Sequence, residues 1–321
     1  MKPWIPAIKY FNIFFILLYA GLISCGQKEK GSLHGTPQQL VFVRRDGAVN
    51  HIYLMDVDSS SGIGSNTRRL TQNSEAENYP SPSPDGKKIL YQRDVDGAAI
   101  YAINIDGSGQ QRLSPTPGFD VNPTWSPDGR QILFVRVMGL IVPNQQPKTE
   151  IHVMNADGSG DHIILPSTVF SVEPRWSVQN QIVFMSSMNG GLHIFTMQSD
   201  GTNIRQLTTE ANNGDPVWSP DGRRISFGSD REGNGKLNIF TMNADGSEVK
   251  QLTHFDIPVE SGDTYWSADG TRICFEMDIN GHLQSDPEAY AEVWTMLSDG
   301  TSQRSTHQSC SGVGCAPRWL H

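Results

Sequence analysis

A seven-residue phrase, Pro-x-Trp-Ser-Pro-Asp-Gly, stands at residues 123–129 and returns at 216–222. Degenerate copies begin at Pro80, where Pro82 replaces Trp, at Pro174, where the turn reads Ser177-Val-Gln-Asn180, at Thr264, and at Pro317, which runs out at Trp319-Leu-His. Successive starts lie 42 to 53 residues apart. A period of that size is one small supersecondary unit, which cannot bury its apolar faces alone and must stack on copies of itself. The chain is thereby constrained to a repeat architecture before any single element is assigned.

Each phrase but the last is followed by an apolar alternation, as in Ile132-Leu-Phe134 and Ile225-Ser-Phe227, and then by a second one ending in Met or Ile, as in Ile151-His-Val-Met154 and Ile239-Phe-Thr-Met242. Asp-Gly pairs at 106, 157, 200, 245 and 299 mark tight hairpins, because the glycine accepts positive φ. Strand, turn, strand, loop, strand, turn, strand is a four-stranded antiparallel meander. The fold class expected is all-β, a six-bladed propeller of four-stranded blades, with the Trp, Phe and Met series filling the gaps between neighbouring sheets. Closure comes from the ends: one C-terminal strand, Pro317 to Leu320, completes a blade whose other three strands begin at Leu40 to Val43, which removes a free sheet edge.

These phrases resemble the TolB-type propeller repeats, a WD-repeat-like, PD40-type family, over residues 39–320. The resemblance implies a binding propeller that holds a partner at one face. The family pattern also includes an α/β domain ahead of the propeller, in whose place this chain shows only a short polar stretch. Function is carried by sites and not by folds, so the resemblance speaks more to architecture than to activity.

The N-terminal residues 1–24 carry Lys2 and Lys9, an apolar run from Phe11 to Ile23, and Ser24 just before Cys25, the layout of a secretory signal. Leu22-Ile23-Ser24-Cys25 looks like a bacterial lipobox, which makes Cys25 the expected lipidation site; an uncleaved membrane anchor is the alternative. Residues 25–38 read as a flexible tether and 39–321 as the propeller. Gly26, in the place where lipoproteins kept in an inner membrane often carry Asp, favours the outer membrane, facing the periplasm. With 25 Lys+Arg against 34 Asp+Glu the net charge is −9, and loss of Lys2 and Lys9 takes it to −11. A nucleic-acid partner is excluded on charge, and anchoring falls to acyl chains and not to anionic headgroups. In an oxidising compartment Cys310 and Cys315, which flank Ser-Gly-Val-Gly, are expected to form a disulfide, while Cys274 lies in a strand pattern as a small buried hydrophobe.

The longer loops, between second and third strands and between blades, fall on one face, with insertions at 136–150 and 277–292. The residues just before each inner strand, Tyr79, Asn122, Glu173, Asp215 and Asp263, are expected to rim the channel there and bind a partner. Their acids either focus a negative field on a basic ligand or cap their own strands. His51, His193, His254, His282 and His307 share these loops without metal-ligand spacing, and Asn155-Ala-Asp157-Gly-Ser-Gly-Asp161 reads as a turn and not a calcium site. Nucleophile elbows and phosphate loops are missing from the sequence. The expectation is a monomeric scaffold for a protein or glycan partner, with no catalytic residue, metal or cofactor. The alternative, from a resemblance to oligogalacturonate lyases, is a metal-dependent polysaccharide lyase or hydrolase.

Overall fold

The computed structural model describes residues 38–47, 49–58, 61–115, 118–139, 145–166, 168–233, 237–255, 263–277, 290–311 and 317–320. Cys25, the tether, Cys315, His282 and most of the 277–292 insertion lie outside the described residues, as does the core of the 136–150 insertion. The signal, the lipidation site and the Cys310–Cys315 disulfide fall there too.

Every element among the described residues is a strand. The first unit comprises β1 (Gln38–Asp46), β2 (Val49–Val57) and β3 (Gly64–Arg69). Next come β4 (Glu77–Pro82), β5 (Lys88–Arg93), β6 (Gly97–Asn104) and β7 (Gln111–Arg112), then β8 (Gly118–Trp125), β9 (Gln131–Met138), β10 (Lys148–Asn155) and β11 (His162–Leu165). The fourth unit holds β12 (Ser171–Trp176), β13 (Gln181–Ser186), β14 (His193–Gln198) and β15 (Arg205–Gln206). The fifth holds β16 (Asn213–Trp218), β17 (Arg224–Ser229), β18 (Asn238–Asn243) and β19 (Lys250–Gln251). Last come β20 (Thr264–Trp266), β21 (Arg272–Met277), β22 (Tyr290–Leu297), β23 (Arg304–Ser311) and, alone at the end, β24 (Arg318–Trp319).

Hydrogen bonding corrects the expectation of a six-bladed propeller with separate four-stranded blades. Among the described residues there are four separate four-stranded blades, β24-β1-β2-β3, β12 to β15, β16 to β19 and β20 to β23, and one eight-stranded sheet made from β4 to β11. The join is a parallel pair between β6 and β8, Gly97 opposite Gly118 and Ala98 opposite Phe119. Gly97 explains it. Gly97 sits at φ +106, and a Cβ there would lie 2.5 Å from the Gly118 carbonyl oxygen, so the backbones approach only because no side chain stands between them. Repeat spacing carries no sign of such a bridge, since Gly97 lies in a variable connection inside one unit and Gly118 in the variable connection that leads to the next.

The repeated phrase has a local physical reason at each turn. Ser126 donates its Oγ–H to Asp128 Oδ1 (2.6 Å) and accepts the N–H of Gln131 (2.9 Å) on the same oxygen. The same pattern returns at Ser83 with Asp85, Ser219 with Asp221 and Ser267 with Asp269. Gly129 closes the turn at φ +69, and Asn180, at φ +64, takes the glycine's place in the fourth unit. Apolar residues then pack from one unit to the next: Val41, Ile52 and Leu54 against Ile89, Tyr91 and Ile103, and Val183 and Ile194 against Trp218, Phe227 and Met242. At the closing seam β24 pairs with β1 through Leu40–Trp319 and Val41–Arg318. Trp319 lies with Leu40, Phe42, Cys274 and Val293 in one buried cluster. Cys274 is a fully buried free thiol, and burial pushes its pKa up.

Candidate functional site

The innermost strand of each unit runs from the long-loop face to the Ser-Pro-Asp-Gly turn, so the central channel has two unlike mouths. At the long-loop mouth Tyr79, Asn122, Glu173 and Asp215 occupy equivalent places and all stand in the left-handed region, at φ 52, 53, 56 and 51. Each precedes a proline, which has no N–H to give the ladder, and at each the register with the neighbouring strand slips by a bulge. Non-glycine residues held this way cost of order 1–3 kcal/mol each. Asp263, followed by Thr264 and not by proline, is not among the left-handed residues.

The side chains at this mouth are not equally available. Tyr79, Asn122 and Asp263 are buried, and Glu173 and Asp215 half-buried. Glu173 caps the next blade and not its own strand: its Oε2 accepts the Asp215 N–H at 2.9 Å. Asp263 faces Arg318 (3.7 Å), a residue of the closing strand. Acids in the surrounding loops are paired as well. Asp120 accepts from Arg136 at 2.7 Å, Arg136 also reaches Asp161 at 2.9 Å, and Glu75 is bound by Arg93. The hydrogen bond from Arg93 holds the Glu75 carboxyl below its ordinary value, and Asp120 raises the Arg136 guanidinium further. The collar is thus a set of ion pairs with a few half-open carboxylates.

The histidines do not converge. His51 lies in β2 against Glu77 (3.4 Å) and Arg69 (2.9 Å), His193 begins β14, and His254 and His307 belong to later units. Among the described residues no three His, Cys, Asp or Glu side chains form a group that could hold a metal ion.

The other mouth escapes a sequence reading that looks at loops. It opens among the Ser-Pro-Asp-Gly turns into a cavity of about 300 Å³. Its deep wall is made by the variable residue of Pro-x-Trp, with Thr124, Arg175, Val217 and Tyr265 side by side and Trp176 and Trp218 beside them. Arg318, in the same register position, is 2% exposed and stacks over Tyr265 at 5.1 Å. Two arginines at a position otherwise held by Ser, Thr, Val and Tyr were the available signal. Burial, then repulsion from Arg318, lowers the Arg175 pKa.

The model of the TolB beta propeller domain matches residues 34–141 and 174–313. Among solved structures, the chain is similar to TolB from Acinetobacter baumannii with TM-score 0.69 and 18% identity, over 88% of this chain and 66% of that one. It is similar to a putative TolB from Agrobacterium tumefaciens with TM-score 0.68 and 19% identity, over 89% and 98% of the two chains. An oligogalacturonate lyase in complex with manganese aligns at TM-score 0.57 and 16% identity, over 83% of this chain and 73% of that one. At these identities the structural likeness is one of fold alone.

Proposed function

Because the chain belongs to the TolB beta propeller domain family, we propose that it is a non-catalytic binding propeller of the bacterial cell envelope. In this reading the signal in residues 1–24 exports it, acylated Cys25 holds it to the outer membrane facing the periplasm, and the long-loop mouth holds a protein or glycan partner. The observation that carries the binding role is the ring of Tyr79, Asn122, Glu173 and Asp215. One strained backbone state recurs four times while the side chain on it changes each time, and at Glu173 and Asp215 that side chain is half-exposed. A rigid, repeated mount with varied chemistry is what recognition needs, since little ordering entropy is lost on binding. The lyase reading has the likeness of fold behind it and, among the described residues, no group of three His, Cys, Asp or Glu side chains that could hold its metal.

The test is the double variant Glu173→Gln with Asp215→Asn, assayed by affinity capture from crosslinked envelopes. Gln can still accept the residue-215 N–H and Asn tolerates left-handed φ, so folding is kept while two half-open charges go. Asp263 is left alone because Arg318 needs it. Capture by the parent should weaken as salt rises, screened charges losing reach beyond about 8–10 Å, and the variant should capture several-fold less. Equal capture by a variant of parental melting temperature would remove the long-loop mouth as the site.

A further inference from the structure

We propose that the short-turn mouth of the channel is a second ligand site, specific for a monocarboxylate carried on an apolar body, with Arg175 as its anchor. Arg175 is 8% exposed and forms part of the cavity wall. Its one hydrogen bond goes to the carbonyl of its own neighbour, Pro174, at 3.1 Å, and among the described residues no carboxylate lies within 4 Å of it. A guanidinium has five N–H donors in a planar fork that matches a carboxylate, so most of this one's donors are unclaimed by protein. A buried cation left in that state is costly unless something anionic joins it.

Arg318 shows the contrast within the same ring. It is as deeply placed, but Asp263 faces it at 3.7 Å and Tyr265 lies beneath it. The fold thus sets a carboxylate close against one of the two channel arginines, while Glu173 and Asp263 act on the other only from longer range. The local balance also selects the ligand's charge. Glu173 and Asp263 already act on Arg175 from longer range and the chain as a whole is at −9, so a dianion such as phosphate would bring more negative charge than this one guanidinium offsets. A single carboxylate adds the least. The cavity is lined besides by Val217, Tyr265, Trp176, Trp218 and Pro82, which call for an aliphatic or aromatic body. The cavity volume sits at the small end of ordinary ligand pockets. The C-terminal residue of a peptide and a small free acid present the same chemistry.

The experiment is calorimetric titration of the full chain in detergent with four probes: 3-phenylpropionate, 3-phenylpropionamide, and the peptide Ala-Ala-Phe with a free or an amidated C-terminus. The acid forms should bind about tenfold or more tightly than their amides, as loss of a charge-assisted hydrogen bond demands. Whichever acid binds more tightly identifies the source, peptide end or free acid. Arg175→Met should lose that preference while melting no lower than the parent, because it removes a buried charge that no carboxylate pairs at close range. If neither acid binds, if acid and amide bind alike to the unaltered protein, or if Arg175→Met keeps the preference, the site does not exist.

Discussion

Two seams hold the ring together by different means. Where the chain ends meet, β24 contributes two residues to a blade whose other strands lie at the opposite end of the sequence, and the join depends on side chains: Trp319 inside, Arg318 against Asp263, and Cys274 beneath Pro317. Where β6 meets β8 the join is backbone to backbone between Gly97 and Gly118, and side chains are what it must exclude. The first seam is a packing problem and the second a clearance problem. They should therefore fail in response to opposite kinds of change, one to removal of atoms and the other to their addition.

The largest effect should follow truncation after Ala316. It deletes Trp319, a loss that by itself costs ~3–5 kcal/mol, leaves Asp263 without Arg318, and bares the edge of β1. On a total stability of roughly 5–15 kcal/mol this should lower the melting temperature by about 10 °C or more, or drive aggregation. Cys274, now fully buried, should become reactive to a maleimide. A truncated monomer with a protected thiol and unchanged melting would show that the seam is not held by this packing.

Next in size is Gly97→Val. Its φ of +106 and the 2.5 Å approach to Gly118 O leave no room for a Cβ, and the strain should cost about 2–3 kcal/mol. Hydrogen exchange at the Ala98 and Phe119 amides should quicken. Gly118→Ala is the sharpening control: a Cβ there meets only Asp120 Oδ1 at 3.9 Å, so it should melt close to the parent. Equal damage from both changes would contradict the clearance argument.

The smallest effect, about 1 kcal/mol, is expected for Ser126→Ala, in a turn that belongs to neither seam. The Ser126 hydroxyl, then the Arg130 N–H, hold the Asp128 carboxyl below its ordinary 3.8. A carboxyl whose pKa is depressed on folding adds stability that is complete above the ordinary value and is lost as pH falls through the lowered one. Ser126→Ala should therefore melt more weakly than the parent at pH 6, and the difference should shrink as pH drops below 4. A gap that stays constant down to pH 2 would mean that the serine acts without the carboxylate.

Strand identity, the all-β propeller fold and the placement of the chain ends were legible because they rest on local pattern. Alternation at Ile132-Leu-Phe134 and Ser-Pro-Asp-Gly at 126–129 each specify a piece of backbone from residues close in sequence, and repetition removes ambiguity. The double sheet was not legible, because Gly97 and Gly118 sit in segments that the repeat leaves variable. The mouth residues were expected just before the inner strands, yet Tyr79, Asn122, Glu173 and Asp215 stand inside β4, β8, β12 and β16 at the bulges, and Asp263 alone of the five precedes its strand. Their partners were not legible: Glu173 reaches Asp215, 42 residues on, and Asp263 reaches Arg318.

What the sequence determined alone is the unit: which residues turn, which alternate, and which are large enough to fill the space between sheets, all set by hydrogen bonds and sterics spanning a few positions. Only the tertiary structure decided which units fuse and which charges meet. It also set Asp263 within 3.7 Å of Arg318 and left Arg175 with carboxylates only at longer range, although both follow a proline and precede a tryptophan. The reason is range. Electrostatics and backbone clearance at a ring's centre depend on residues brought together from opposite ends of the chain, and no window of sequence contains both partners.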